Sequence, residues 1–101
     1  MAGDVVLKSE KRSGFLQRSR IDIMACILEN SNDKSRKTRL IYRCNLSLSQ
    51  FNVYKNCLVE TGLLEVARRG DGVEIFGTTE KGKEFLTDYR KIKSVMDEMR
   101  I

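Results

Sequence analysis

The most restrictive feature of the sequence is a three-residue break, Asn45-Leu46-Ser47, which runs straight into Ser47-Leu48-Ser49-Gln50. The second element fits the S-x-x-Q capping box, where the serine hydroxyl accepts from a backbone N–H and the glutamine side chain reaches back to the serine N–H. A helix is therefore predicted from Ser47 to about Thr61, closed by Gly62 in a left-handed conformation. A short helix from Lys37 or Thr38 to Cys44 precedes the break, with Thr38 as the expected N-cap. It is too short to stand alone, so Leu40, Ile41 and Cys44 are expected to pack it against the rest of the chain.

The remaining elements follow from periodicity and turn chemistry. Ile21, Met24, Ile27 and Leu28 form one apolar stripe of a helix over residues 18–30, which Asn30-Ser31-Asn32-Asp33 ends. The inward stripe of the capped helix is Leu48, Phe51, Tyr54 and Leu58. Leu63 to Arg69 reads as a strand with Leu64 and Val66 inward, Arg69-Gly70-Asp71-Gly72 as a hairpin turn, and Val73 to Gly77 as the returning strand. Thr79 caps a last helix in which Phe85, Tyr89, Ile92, Met96 and Met99 recur at spacings of four and three, a heptad seam. The fold class is mainly α with a small β-hairpin (α+β): a winged helix-turn-helix over residues 18–79, followed by a C-terminal dimerisation helix over 80–101. Residues 1–17, with Lys8, Lys11 and Arg12 among glycines and serines, read as a mobile basic arm, or as a solvated tail with no role.

Charge placement carries the functional reading. The net charge of +5 decides little, but Lys34, Arg36, Lys37, Arg39 and Arg43 fall within ten positions that hold no acid. They precede and line the bracing helix, where phosphates lie if the capped helix enters a major groove. Ser47, Lys55, Arg68 and Arg69 complete the expected phosphate contacts. Ser49, Gln50, Asn52, Val53 and Asn56 occupy the outward face of the capped helix and are the expected base readers. Asn and Gln suit adenine because each offers a donor and an acceptor together. A solvated helix face without function is the competing reading of the same residues.

Other classes fit less well. The chain has no histidine, which removes the commonest general base and the commonest metal ligand, and no acid, base and nucleophile converge. No enzyme, cofactor or metal is therefore expected. Cys26, Cys44 and Cys57 lie too far apart for a zinc or disulfide framework and read as small buried hydrophobes of a reducing, cytoplasmic compartment. No apolar run is long enough for a membrane span. Arg69-Gly70-Asp71 spells an adhesion tripeptide by chance. RNA is disfavoured because no interleaved aromatic platform shows in the sequence. The alternative to DNA binding is a winged-helix protein–protein interaction module without base readout, which needs an exposed apolar patch in place of the polar face.

Several stretches resemble one family. Lys37-Thr38-Arg39-Leu40-Ile41-Tyr42, Asn45-Leu46-Ser47, Gly62-Leu63-Leu64, Thr79-Glu80-Lys81-Gly82 and Phe85-Leu86, in this order over about residues 18–95, resemble the archaeal winged helix-turn-helix proteins. The resemblance implies a small basic protein on double-stranded DNA, serving transcriptional regulation or DNA packaging. It also implies a homodimer joined by an antiparallel coiled coil of C-terminal helices, here through Phe85, Tyr89, Ile92, Met96 and Met99.

Overall fold

The computed structural model describes residues 18–99, and the arm expected over residues 1–17 lies outside them. The described elements run α1 (Arg20–Asn30), β1 (Ser35–Arg36), α2 (Lys37–Cys44), α3 (Leu48–Glu60), β2 (Leu64–Arg68), β3 (Glu74–Thr78) and α4 (Glu80–Met99). The antiparallel sheet has the order β1-β3-β2, so the central strand is the last in sequence.

α1 begins at Arg20 because Ser19 caps it, its hydroxyl accepting from the Asp22 N–H at 3.2 Å. Its buried residues are Ile23, Ala25, Ile27 and Leu28; Met24 is half-buried and Ile21 is exposed. The expected single stripe was too narrow because α2, α4 and β3 all pack against this helix. At its end, Thr78 Oγ1 donates to the Leu28 carbonyl at 2.5 Å, and the Thr78 N–H donates to the Ser31 carbonyl at 3.2 Å. These two bonds fasten the central strand to the end of α1, and Thr78 and Ser31 are buried accordingly.

β1 had no signature in the sequence. Two residues are too few for a period-two pattern, and pairing alone defines it: Ser35 opposes Phe76, and Arg36 opposes Ile75. The wing is therefore part of a three-stranded sheet and not an isolated hairpin. The strand runs directly into α2, which makes Arg36 the N-cap residue, without a side-chain cap bond. Thr38, expected there, already lies inside the helix. The sheet pairing of β1 fixes where α2 begins, in place of a capping hydroxyl.

The helix-turn-helix forms as expected. Asn45 closes α2 in the left-handed region, φ 54°. Arg18 reaches across to donate to the Cys44 carbonyl at 2.5 Å, a cation on the orphan acceptors of a helix C-terminus. Both bonds of the capping box are present: Gln50 N–H to Ser47 Oγ at 3.1 Å, and Ser47 N–H to Gln50 Oε1 at 2.9 Å. Phe51 and Leu58 are buried and Tyr54 is half-buried, but Leu48, in the first turn, is exposed. Phe51 meets Phe76 edge-on at 5.5 Å between ring centroids, joining α3 to the central strand.

Coverage of the sheet falls off towards the hairpin tip. Leu64 is buried, whereas Val66, expected inward, is exposed, because β2 is an edge strand that extends past the helical layer. At the other end of β2, Thr79 Oγ1 accepts from the Gly82 N–H at 3.1 Å and donates to the Gly62 carbonyl at 2.6 Å. A Cβ at Gly82 would sit 2.3 Å from the Leu63 carbonyl oxygen, so only glycine lets α4 start this close to β2.

Candidate nucleic-acid interface

The outward face of α3 carries Ser49, Asn52, Val53 and Asn56, all exposed, at the spacing of one helical face. The sequence proposed Gln50 both as a cap and as a base reader, and the geometry sets these roles against each other. Its Oε1 already accepts from the Ser47 N–H. A bidentate contact with adenine needs that same oxygen together with the amide nitrogen, so base reading would break the cap. Ser47 is likewise engaged, although its hydroxyl proton stays available. Lys55 is half-buried on the flank of α3.

Lys34, Arg36, Lys37, Arg39 and Arg43 are all exposed. Arg36, Lys37 and Thr38 face Arg68, Gly72 and Glu74 of the wing across an open cleft, so the start of α2 and the wing are neighbours. A second open cleft lies along the outer side of α2, lined by Lys34, Arg36, Arg39 and Arg43 with Tyr42 among them. No carboxylate lines it. Lys34 adopts a left-handed φ of 66°, unusual for a side chain of its size, at the turn that leads into β1.

The wing differs. Its turn is closed by the Gly72 N–H on the Arg69 carbonyl at 2.8 Å and the Arg69 N–H on the Val73 carbonyl at 2.9 Å, with Gly72 at φ 85°. This is a three-residue hairpin loop whose last position needs a residue at ease in the left-handed region. Arg69 pairs with Asp71 at 2.7 Å, and Arg68 with Glu74 at 3.3 Å. The Arg69 guanidinium, helped by the Val73 N–H, holds the Asp71 carboxyl down at about 2. Both wing cations thus stand beside carboxylates of the same hairpin.

The heptad positions of α4 divide into two groups. Phe85 and Tyr89 are half-buried against the chain's own core, together with the buried Leu86, which the heptad reading omitted. The Tyr89 hydroxyl donates to Asp22, and Arg90 pairs with Glu29 at 2.9 Å, so both side chains tie α4 to α1. Beyond them Ile92, Val95, Met96 and Met99 are exposed.

The cysteines follow their expected burial only in part. Cys44 is buried, Cys26 half-buried and Cys57 exposed. Cys26 and Cys44 meet where α1 packs on α2: a hydrogen bond from Cys44, aided by nearby Arg18, lowers the Cys26 thiol to about 7, and the same contact pushes Cys44 up. Among the described residues no group of three acidic, thiol or imidazole side chains gathers into a metal site, and no helix is long and apolar enough to cross a membrane.

This arrangement of helices and wing is shared with known proteins. The winged helix-turn-helix family matches residues 17–97. Among solved structures, the chain is similar to Sso10a-2, a DNA-binding protein from Sulfolobus solfataricus, with a TM-score of 0.75 and 29% identity over 82% of this chain and 86% of that one. The transcriptional regulator BldR from the same organism has a TM-score of 0.69 and 20% identity over 77% of this chain and 59% of that one. ZitR from Lactococcus lactis has a TM-score of 0.61 and 16% identity, covering 92% of this chain and 67% of that one. No curated protein matches. With its family match spanning both the helix-turn-helix and the wing, the chain belongs to the winged helix-turn-helix family.

Proposed function

We propose that the protein binds double-stranded DNA, with α3 in the major groove and the cations at the start of α2 on the flanking phosphates, as a regulator or packager of DNA. The observation that carries this is the exposed face Ser49, Asn52, Val53 and Asn56 on a capped helix, preceded in the chain by a run of exposed cations with no intervening acid. The likeness to Sso10a-2, named as a DNA-binding protein, supports the same reading. Asn52 and Asn56 are the base readers in this reading, with Ser49 and Val53 beside them; Arg36, Lys37, Arg39 and Arg43 hold the backbone.

The distal half of α4 makes the protein a homodimer in the same reading. Ile92, Val95, Met96 and Met99 form an exposed apolar strip at the end of a 20-residue helix, and a second copy covers it. A two-fold pair of such domains presents two α3 helices to one duplex. The protein then acts in the cytoplasm, on the DNA held there.

A salt titration of binding to a duplex tests the electrostatic part. With about four to six phosphates neutralised per subunit, the log–log slope is expected on the order of −4 or steeper. A flat response refutes it. Sedimentation equilibrium tests the dimer: the intact chain is expected at twice its 11.6 kDa mass, and Ile92→Asp/Met96→Asp at the monomer mass with its helical signal kept.

A further inference from the structure

The Tyr42 side chain stands outside the core. It is 82% exposed, and it is the only aromatic side chain among the described residues that is not at least half-buried. Phe51 and Phe76 are buried, while Tyr54, Phe85 and Tyr89 are half-buried on the core. It stands in the cleft along the outer side of α2, one turn after Arg39 and next to Arg43, with Lys34 and Arg36 at the far end. No residue of α3 lines that cleft, so this surface is distinct from the face proposed to read bases.

We propose that the outer face of α2 binds single-stranded nucleic acid, with an unpaired base stacked on Tyr42 and its neighbouring phosphates held by Arg39, Arg43 and Lys34. An exposed ring inside a cationic groove is the combination that single strands use: the groove follows the backbone, and the ring offers a flat apolar face to any base. A paired duplex cannot use the ring in this way, because its bases are stacked on one another. An acidic peptide would use the cations and leave the ring idle. Of the three polyanions, only the single strand engages every exposed group in the cleft. The aromatic platform looked for in the sequence, as an interleaved series, is here a single residue placed by the fold.

The site extends the duplex reading and shares Arg39 and Arg43 with it, so both probes are used in one experiment. Fluorescence anisotropy is measured with a labelled deoxythymidine homopolymer and, separately, with a labelled duplex, for the full chain and for Tyr42→Leu and Tyr42→Phe. The full chain is expected to bind the single strand, Tyr42→Leu to lose roughly tenfold in that affinity, and Tyr42→Phe to keep it, because stacking needs the ring and not the hydroxyl. Duplex affinity is expected to stay within about twofold for both variants, since neither removes a phosphate-binding cation. Unchanged strand affinity in Tyr42→Leu overturns the proposal. So does an equal loss in Tyr42→Phe, which would make the tyrosine a hydroxyl donor to phosphate. Displacement of the strand by polyglutamate as readily as by unlabelled strand overturns it too, as the mark of an unselective cationic patch. Strand binding that depends on the ring in a protein that ignores duplex would uphold this site and refute the groove reading. Duplex binding without strand binding would do the reverse.

Discussion

The outer face of α2 and the tip of the wing are both rich in arginine, yet they present different charges to a partner. On α2, Arg36, Arg39 and Arg43 line a cleft that contains no carboxylate. In the wing, Arg68 and Arg69 are each paired with an acid from the same hairpin, Glu74 and Asp71. A cation that already has a neighbouring anion must exchange partners to hold a phosphate, and the local field it adds is close to neutral. Exposed pairs of this kind are weak, so the exchange is possible, but it gains less than a contact made by an unpaired cation. Counting arginines overstates the wing; in the proposed reading, these pairings leave the electrostatic weight of the interface on α2.

The largest effect that separates the two regions is expected from the double variant Arg39→Ala/Arg43→Ala. Each phosphate neutralised contributes about 0.7 to log K at physiological salt, so two lost contacts weaken duplex binding roughly thirtyfold and reduce the salt slope by about two. Arg68→Ala/Arg69→Ala is expected to do clearly less. Equal losses in filter-binding titrations of the two double variants would erase the distinction between α2 and the wing.

In the proposed reading, base preference belongs to neither cationic region. Asn52→Ala is expected to reduce the preference for a selected site over random duplex by about 1–3 kcal/mol, with non-specific binding kept. Gln50→Ala should instead lower folding stability by about 1 kcal/mol through loss of the cap, and leave the preference in place. Competition binding together with urea unfolding separates these outcomes; a preference lost with Gln50 would mean that the cap opens on DNA.

Asp71→Asn tests the wing from the other side. The asparagine oxygen can still accept from the Val73 N–H, as Asp71 does at 3.1 Å, while the negative charge beside Arg69 is gone. Duplex binding is expected to tighten by about fivefold, the value of one freed cation. Unaltered affinity in the same titration would mean that the wing does not reach the backbone.

The smallest effect is on the tie that holds α4 to α1. Burial, and the hydrogen bond that Tyr89 donates to Asp22, raise the Tyr89 phenol to about 12. A raised pKa means that this contribution to stability is complete below the ordinary phenol value and is lost as pH rises through about 12. Phenolate absorbance of Tyr89 is therefore expected to appear well above the ordinary phenol value. Titration of Tyr89 at the ordinary phenol value would show that the tie does not form.

The elements that repeat or cap themselves were legible in the chain. The box at Ser47 and Gln50, the left-handed Gly62, and the turn at Arg69–Gly72 are interactions among near neighbours, so the residues that make them are adjacent on the page. The sequence determined in this way that a helix-turn-helix is followed by a wing and a long helix. It did not determine β1, Ile23 and Ala25 in the core of α1, or Leu86 in that of α4, because burial there depends on which distant elements arrive from outside. The fold alone decided that the wing arginines meet Asp71 and Glu74. The fold also decided that one tyrosine, among the six aromatics of the described residues, stands in the open among cations. Local bonds are encoded by neighbours in the chain, whereas exposure and charge pairing belong to surfaces that exist only once the chain has closed on itself.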